Sequence, residues 1–368
     1  LDGPQDQGMK PLFDLVLRQK LYLHNLTHAC LAYAGHLRGL ASIPDCVAVP
    51  ELAGAARAAG DQASEALARA HGRDEAARSA IRAANARLLD ELFERYRNRA
   101  LGDPVARVTR DPLRKLAIDD RLVGAARLCR AHGVDCPAIV GHIVVACRYT
   151  PAADEPGADR WLTAQAAGPT HQLALAGLPT EDPLMTAVVL ASRRQAAAAA
   201  LHQAGIVLRA DEAAAMEIAD FGLDRFEQFG LAIHVYVNTA RCCAKELVML
   251  PGQICPEHRH PPLAGEPGKE ETFRVRQGEV FLFLPGHKQN SGEKEQALTR
   301  VPADKRGVFS MYRCEHLTPG SQYTLSPNTP HWFVAGPQGA IVSEFSTASR
   351  DEADIFTDPA IRRMPDSA

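Results

Sequence analysis

The segment that decides the fold of the C-terminal half is GQICPEHRH at residues 252–260, followed by KEETFRVRQGEV at residues 269–280. In the second stretch apolar residues alternate with charged ones, which is the pattern of a strand with one buried face. His258 and His260 are two positions apart, so a strand would place both imidazoles on one face. Similar short runs, separated by Pro and Gly clusters, continue towards the C-terminus. They predict an antiparallel sandwich or small barrel.

The preceding half is rich in Ala, Leu and Arg, and it has the spacing of helices. Residues 60–99 consist almost wholly of strong helix formers, and we expect further helices at 118–132 and 137–149. We therefore predict an α+β protein with two domains. An N-terminal all-α helical bundle covers residues 1–189, and a β domain covers residues 190–368.

The composition excludes several classes of protein. Of 368 residues, 46% are hydrophobic and 23% charged, which is enough apolar surface for folded cores. The formal net charge of -3 argues against nucleic acid or an anionic membrane as the main partner, and no apolar run approaches the roughly 18–20 residues of a membrane span. Nine cysteines without a CxxC pair favour reduced thiols, and no secretory signal is evident, so we expect a cytoplasmic protein. Because the first residue is Leu, we expect a fragment or a processed chain.

Three histidines and a glutamate form a candidate metal site. His258 and His260 share one face, Glu271 has the strand parity of the apolar residues that follow it, and His331 begins another strand after a Pro/Asn turn. Three imidazoles and one carboxylate suit Mn, Fe, Co, Ni or Zn and leave positions open for a substrate oxygen. A His-X-His pair alone is often an ordinary pair of core or surface residues, so the prediction depends on the whole set.

These residues resemble the first motif of the cupin superfamily. Five residues separate Gly252 from His258, and six separate Glu271 from Gly278, where we expect a turn. The second cupin motif is matched less well around His331, because Ser326 replaces the usual Pro and Ala335 the usual Asn. Asn328 replaces the usual Gly, but Asn is a good substitute where a turn needs a positive φ. The resemblance implies a cupin β-barrel, or jelly roll, and a homodimer that pairs through barrel strands.

Longer segments resemble the D-lyxose isomerases, which are cupin-type sugar isomerases. They cover residues 218–231, 236–247, 250–280, 327–347 and 354–359. The resemblance implies an aldose–ketose isomerase that depends on a divalent metal, typically manganese. Its small sugar substrates would be D-lyxose, converted to D-xylulose, and D-mannose, converted to D-fructose.

The residues present suit this chemistry. Isomerisation through an enediol needs a cation, a base near carbon and a proton donor for the oxygens. Lys269 is the candidate acid or relay, with a pKa lowered by the nearby metal, and Glu344, in an apolar strand, is the candidate base with a raised pKa. The alternatives are a solvated loop lysine for Lys269 and an outward-facing strand residue for Glu344. Lys245 could contact substrate hydroxyls, but we expect a surface role for it. The predicted metal ligands are His258, His260, Glu271 and His331.

Residues 10–185 have a resemblance of their own, most clearly at 20–35. They are similar to the C-terminal helical domain of the polyol-specific long-chain dehydrogenases, which include mannitol and mannitol-1-phosphate dehydrogenases. In that family a Lys, an Asn and a His supply the catalytic base and support the reacting oxygen. These roles would fall on Lys20, Asn25 and His28 as a relict polyol site. The alternative is that they are ordinary polar residues of a bundle.

No GxGxxG motif follows a strand, so we expect no NAD on this chain alone. The helical half is then a scaffold, or its dinucleotide-binding domain lies upstream or on another chain. The alternative function is accordingly a fragment or subunit of an NAD-dependent mannitol dehydrogenase with an appended cupin. A third possibility is a cupin that binds sugar without catalysis. Mannitol oxidation would yield fructose, which the isomerase half could convert to mannose.

Overall fold

A computed structural model describes residues 6–263, 265–286 and 291–363 of the chain. The chain divides into two compact units between Ser192 and Arg193. In the described part of the chain, no helix combines the length and the apolar character needed to cross a bilayer.

The first unit is built from helices packed around one apolar core, in which Leu26 and Leu31 are fully buried. The predicted helical stretch at 60–99 is two helices rather than one. Gly72 leaves the helical conformation, and Asp74 starts the next helix by accepting a hydrogen bond from the backbone N–H of Ala77 at 2.8 Å. A π-helical turn covers Lys20–Asn25 and a 3-10 turn covers Arg99–Leu101. The α-helices of this unit are α1 (Asp6–Gln19), α2 (Leu26–Leu37), α3 (Ile43–Val47), α4 (Pro50–His71), α5 (Glu75–Arg97), α6 (Val105–Thr109), α7 (Pro112–Lys115), α8 (Val123–Ala131), α9 (Pro137–Cys147), α10 (Ala158–Ala167), α11 (Pro169–Leu175) and α12 (Pro183–Gln203), which continues into the second unit.

The second unit is a curled antiparallel sheet with short helices. One further α-helix, α13 (Ala210–Ala214), precedes the first strand. Another, α14 (Ser291–Thr299), and two 3-10 helices, Ala303–Val308 and Asp351–Ala353, lie between strands. The strands are β1 (Glu217–Ala219), β2 (Leu231–Asn238), β3 (Cys243–Met249), β4 (Ile254–Arg259), β5 (Glu271–Leu284), β6 (Arg313–Leu317), β7 (Gln322–Leu325), β8 (His331–Ser346) and β9 (Ile355–Phe356).

Strand β8 organises this sheet. Its first part pairs with β4 and its second part with β3, while β5 runs along it for nearly its whole length. The strand order is β1-β2-β3-β8-β4-β9, and β6 and β7 extend the sheet from β5. Because β8 pairs with different strands along its two halves, the sheet curls around an apolar interior. A helical bundle followed by a curled antiparallel sheet of the cupin kind confirms the predicted fold class.

The predicted turn at Gly278 is wrong. Strand β5 continues through this residue, and its register against β8 shifts on both sides of Gly278, which has φ +71°. A Cβ at Gly278 would lie 2.0 Å from the carbonyl oxygen of Gly339. Gly278 is therefore a bulge that bends two long strands together, and only glycine fits there.

Candidate active site

The structure brings the three predicted histidines together in the second unit. One ring nitrogen from each of His258, His260 and His331 lies within 4.8 Å of the other two, and all three side chains are buried. The register of β4 and β8 sets His258 directly opposite His331. His260 lies just beyond the end of β4, on the same side as His258.

Glu271 joins this cluster from the first position of β5. Its Oε1 lies 3.0 Å from His260 Nε2 and 3.2 Å from His331 Nε2. The side chain is buried, as are Phe273 and Val275, which share its parity. All four predicted ligands therefore face one point.

The Nδ1 atom of each of the three imidazoles has a hydrogen-bond partner. Backbone carbonyl oxygens lie 2.8 Å from His258 Nδ1 and 3.0 Å from His331 Nδ1, and Asp354 Oδ1 lies 2.5 Å from His260 Nδ1. Since the carbonyl oxygens accept hydrogen bonds, Nδ1 of His258 and of His331 carries the hydrogen, and the Nε2 atom of each ring keeps its lone pair. Glu271 Oε1, 3.2 Å from His331 Nε2, is also an acceptor, so this buried nitrogen has no hydrogen-bond partner among the described residues. This donor set fits a divalent metal ion.

The charges of the cluster favour the same interpretation. Burial, together with the neighbouring His331 and His260 rings, lowers the pKa of His258 well below its usual value. Burial opposes ionisation of Glu271, but Lys269 and His260 hold the pKa of Glu271 well below its usual range. Burial also lowers the pKa of His260, yet the carboxylates of Glu271 and Asp354 outweigh it and raise this pKa to about 9. A metal ion would displace the proton from His260.

Both predicted catalytic residues lie beside the cluster. Lys269 Nζ is 2.7 Å from Glu271 Oε2 and 3.0 Å from Glu344 Oε1. Lys269 and Glu344 are 9% and 4% exposed, so the solvated and outward-facing alternatives are wrong. Burial lowers the pKa of Lys269, but Glu271 and Glu344 raise it well above its usual value. This effect is opposite to the lowering predicted from a nearby metal.

Sequence reasoning missed several residues of the site. The predicted surface role of Lys245 is wrong, because β3 turns this side chain inward and leaves it 4% exposed. Its Nζ donates to Asp351 Oδ2 at 2.6 Å and to Ser349 Oγ at 2.9 Å. The parity of Lys245 with the apolar Leu247 was a signal that could have found it.

Most of these groups line a pocket that is partly open to solvent, and its empty space of about 420 Å³ includes that open solvent. Its apolar walls suit the C–H faces of a sugar, and its charged groups suit hydroxyls. The aromatic walls are Phe221, Phe273, Phe333 and Phe356.

The helical unit has a second, cationic pocket. Asn25 and His28 line it, and His28 Nε2 lies 2.7 Å from Asp103 Oδ2, whereas Lys20 is exposed and does not line this pocket. The structure thus brings together two of the three residues predicted for the polyol site. Lys115 is also buried here, and burial together with neighbouring arginines lowers its pKa to about 8. The arginines of the pocket are Arg95, Arg107, Arg114 and Arg121.

The curled sheet, with three histidines and a glutamate that converge beside one pocket, defines the second unit as a cupin-type protein. Residues 204–367 match the family model of D-lyxose isomerase. A D-lyxose/D-mannose isomerase of Thermosediminibacter oceani is 53% identical over 167 residues, which are 45% of this chain and 90% of that protein. The chain belongs to the D-lyxose isomerase family, as its sequence predicts.

The helical unit has different relatives. Residues 16–168 match the family model of the mannitol dehydrogenase C-terminal domain, which confirms the second resemblance. A mannitol-1-phosphate 5-dehydrogenase of Pseudarthrobacter chlorophenolicus is 32% identical over 186 residues, which are 50% of this chain and 46% of that protein. Among solved structures, the L-ribose isomerase of Cellulomonas parahominis aligns with 47% of this chain and 93% of its own, at 16% identity and a TM-score of 0.39.

Proposed function

We propose that the second unit is a metal-dependent aldose–ketose isomerase that interconverts D-lyxose with D-xylulose and D-mannose with D-fructose. The sugars follow from the name of the relative that is 53% identical. The observation that carries the chemistry is the convergence of three Nε2 atoms and Glu271, with a Lys269–Glu344 pair against them. This arrangement combines a cation site, a proton donor and a base in one pocket.

The metal would be held by His258, His260, Glu271 and His331. We propose Mn²⁺, for which a mixed set of imidazole nitrogens and a carboxylate is suitable. When bound, the ion supplies positive charge for the oxygen that becomes negative in the enediolate.

Glu344 is the proposed base, and its two oxygens differ. Oε1 receives Lys269 Nζ at 3.0 Å and Ser346 Oγ at 3.4 Å. In the part of the chain that the structure describes, the hydrogen bonds of Glu344 are to Oε1, and none is to Oε2. Oε2 therefore takes the proton from C2 of the aldose and returns it to C1, which converts aldose to ketose through the enediol.

Lys269 is the proposed proton donor. Its ammonium has three N–H groups, and two of them are engaged by Glu271 and Glu344. Asp351 Oδ1, at 3.8 Å, is beyond hydrogen-bond distance. Among the described residues no other acceptor takes the third N–H. This N–H would donate its proton to O1 of the aldose, and the resulting amine would take the proton of the O2 hydroxyl, while Glu344 moves the proton between the carbons.

The test is metal removal and restoration. Protein stripped with a chelator should be inactive, and Mn²⁺ should restore conversion of lyxose to xylulose and of mannose to fructose. Glu344→Gln should lower kcat by about 10²- to 10⁴-fold, the usual contribution of a general base, with metal affinity close to that of the parent. Glu352→Gln, a change at an exposed acid, is the matched control.

Two results would contradict the proposal. Absence of turnover on any pentose or hexose after Mn²⁺ is restored removes the isomerase function. Full activity of the Glu344→Gln variant places the base elsewhere. The homodimer that we also propose is measured separately, by light scattering during gel filtration.

We propose a second function for the helical unit, the binding of a polyol or polyol phosphate at Asn25 and His28. The His28–Asp103 pair and the buried cation of Lys115 in the same pocket favour it. Oxidation of such a ligand would need a nicotinamide-binding partner, as in the alternative function of a dehydrogenase subunit. Calorimetry with mannitol and mannitol 1-phosphate tests the proposal. Binding that is lost in Asn25→Ala supports it, and no binding at millimolar ligand contradicts it.

A further inference from the structure

Lys245 and Glu344 are close enough for an ion pair, but no hydrogen bond joins them. The register of β3 and β8 places them directly opposite each other. Opposite charges at such cross-strand positions normally interact with each other. Here Lys245 Nζ stays 3.9 Å from Glu344 Oε1, beyond hydrogen-bond distance.

Asp351 takes the ammonium group instead. This residue begins the 3-10 helix that follows β8, and its Oδ2 accepts from Lys245 Nζ at 2.6 Å. Ser349 accepts from the same ammonium at 2.9 Å and donates its own hydroxyl to Asp351. Arg363 lies 3.5 Å from Asp351 Oδ2, the oxygen that also accepts from Lys245, so the carboxylate is held from more than one side.

Glu344 Oε1 accepts a hydrogen bond from Lys269 Nζ instead, at 3.0 Å. Lys269 reaches it from the loop before β5 and also contacts the proposed ligand Glu271. Two buried lysines thus lie within 4 Å of one carboxylate, and only one of them is hydrogen-bonded to it.

We propose that Asp351 is a positioning residue that holds the Lys245 ammonium beyond hydrogen-bond distance of Glu344, so that of the two lysines only Lys269 donates to the base. The inference rests on the proposed role of Glu344 as base. If Lys245 moved from 3.9 Å to hydrogen-bond distance, its positive charge would stabilise the carboxylate more strongly and slow its uptake of the substrate proton. Asp351 therefore sets the reactivity of Glu344 without touching the substrate.

The test is a double-mutant cycle on the full chain. Asp351→Asn should lower kcat by roughly tenfold or more, as expected for strongly coupled neighbours, with KM within about twofold of the parent. Lys245→Met placed in the Asp351→Asn background should recover most of the lost kcat, because the released ammonium is then absent. Glu352→Gln is the control. A double variant that is worse than Asp351→Asn overturns the proposal, because a purely structural role predicts added damage.

A second measurement does not depend on turnover. A crystal structure of Asp351→Asn should show Lys245 Nζ within hydrogen-bond distance of Glu344, and Mn²⁺ affinity should equal that of the parent. Lys245 unmoved, or metal binding weakened as much as kcat, overturns the proposal. If the parent shows no isomerase activity while Lys245 moves as expected, the proposed function fails and the positioning role stands.

Discussion

The contact between Asp354 and His260 allows a quantitative prediction about metal binding. Asp354 Oδ1 lies 2.5 Å from His260 Nδ1, and each side chain is 8% exposed, so water does not replace a lost partner easily. A hydrogen bond to a charged group is worth about 1.5–3 kcal/mol, and each 1.4 kcal/mol is about tenfold in affinity. Asp354→Asn should therefore weaken Mn²⁺ binding by about 10- to 100-fold, which is also the usual cost of losing such an outer partner.

The assay is titration of metal-free protein with Mn²⁺ at fixed pH, by calorimetry or by competition with a chelator. Asp358→Asn is the matched control, because Asp358 is also buried in this segment but pairs with Lys305 at 2.6 Å. Mn²⁺ affinity within twofold of the parent in Asp354→Asn would refute the reasoning. An equal loss in Asp358→Asn would refute it as well, since the effect would then be general.

Three further predictions concern pH and stability. Because the His260 proton, with a pKa of about 9, competes with the metal, apparent Mn²⁺ affinity should rise as pH increases towards 9; an affinity independent of pH between 6 and 9 would contradict this. The pKa of Lys115 is about 8 in the folded protein against an ordinary 10.5, so the unfolded chain binds the proton more tightly. The free energy of unfolding should therefore rise as the pH increases from about 8 to 10.5. Urea titrations should show that Lys115→Met removes this rise. Gly278→Ala should destabilise the folded protein far more than Gly320→Ala. Gly320 has a similar φ of +87° but open space around it, so its replacement should cost about 1–2 kcal/mol. Equal melting temperatures of the two variants would contradict the argument.

Patterns within a few residues of each other were readable without the structure. The His258-X-His260 spacing and the parity of Glu271 follow from the geometry of any strand, so they predicted which side chains face inward. Helices α8 and α9 follow from apolar spacing in the same way. The two family resemblances also depend on linear segments, and the comparisons confirm them.

Contacts across the sheet were decided only by the tertiary structure. Lys245 and Asp351 are 106 positions apart, and His260 and Asp354 are 94 positions apart. The pairing of β3 with β8 and the turn that follows β8 bring the first two residues together, and the pairing of β4 with β9 brings the second two together. No local pattern encodes these registers. The sequence by itself determined the fold class and the four predicted ligands. The tertiary structure decided which charges meet around them, because such partners are chosen by strand register rather than by position along the chain.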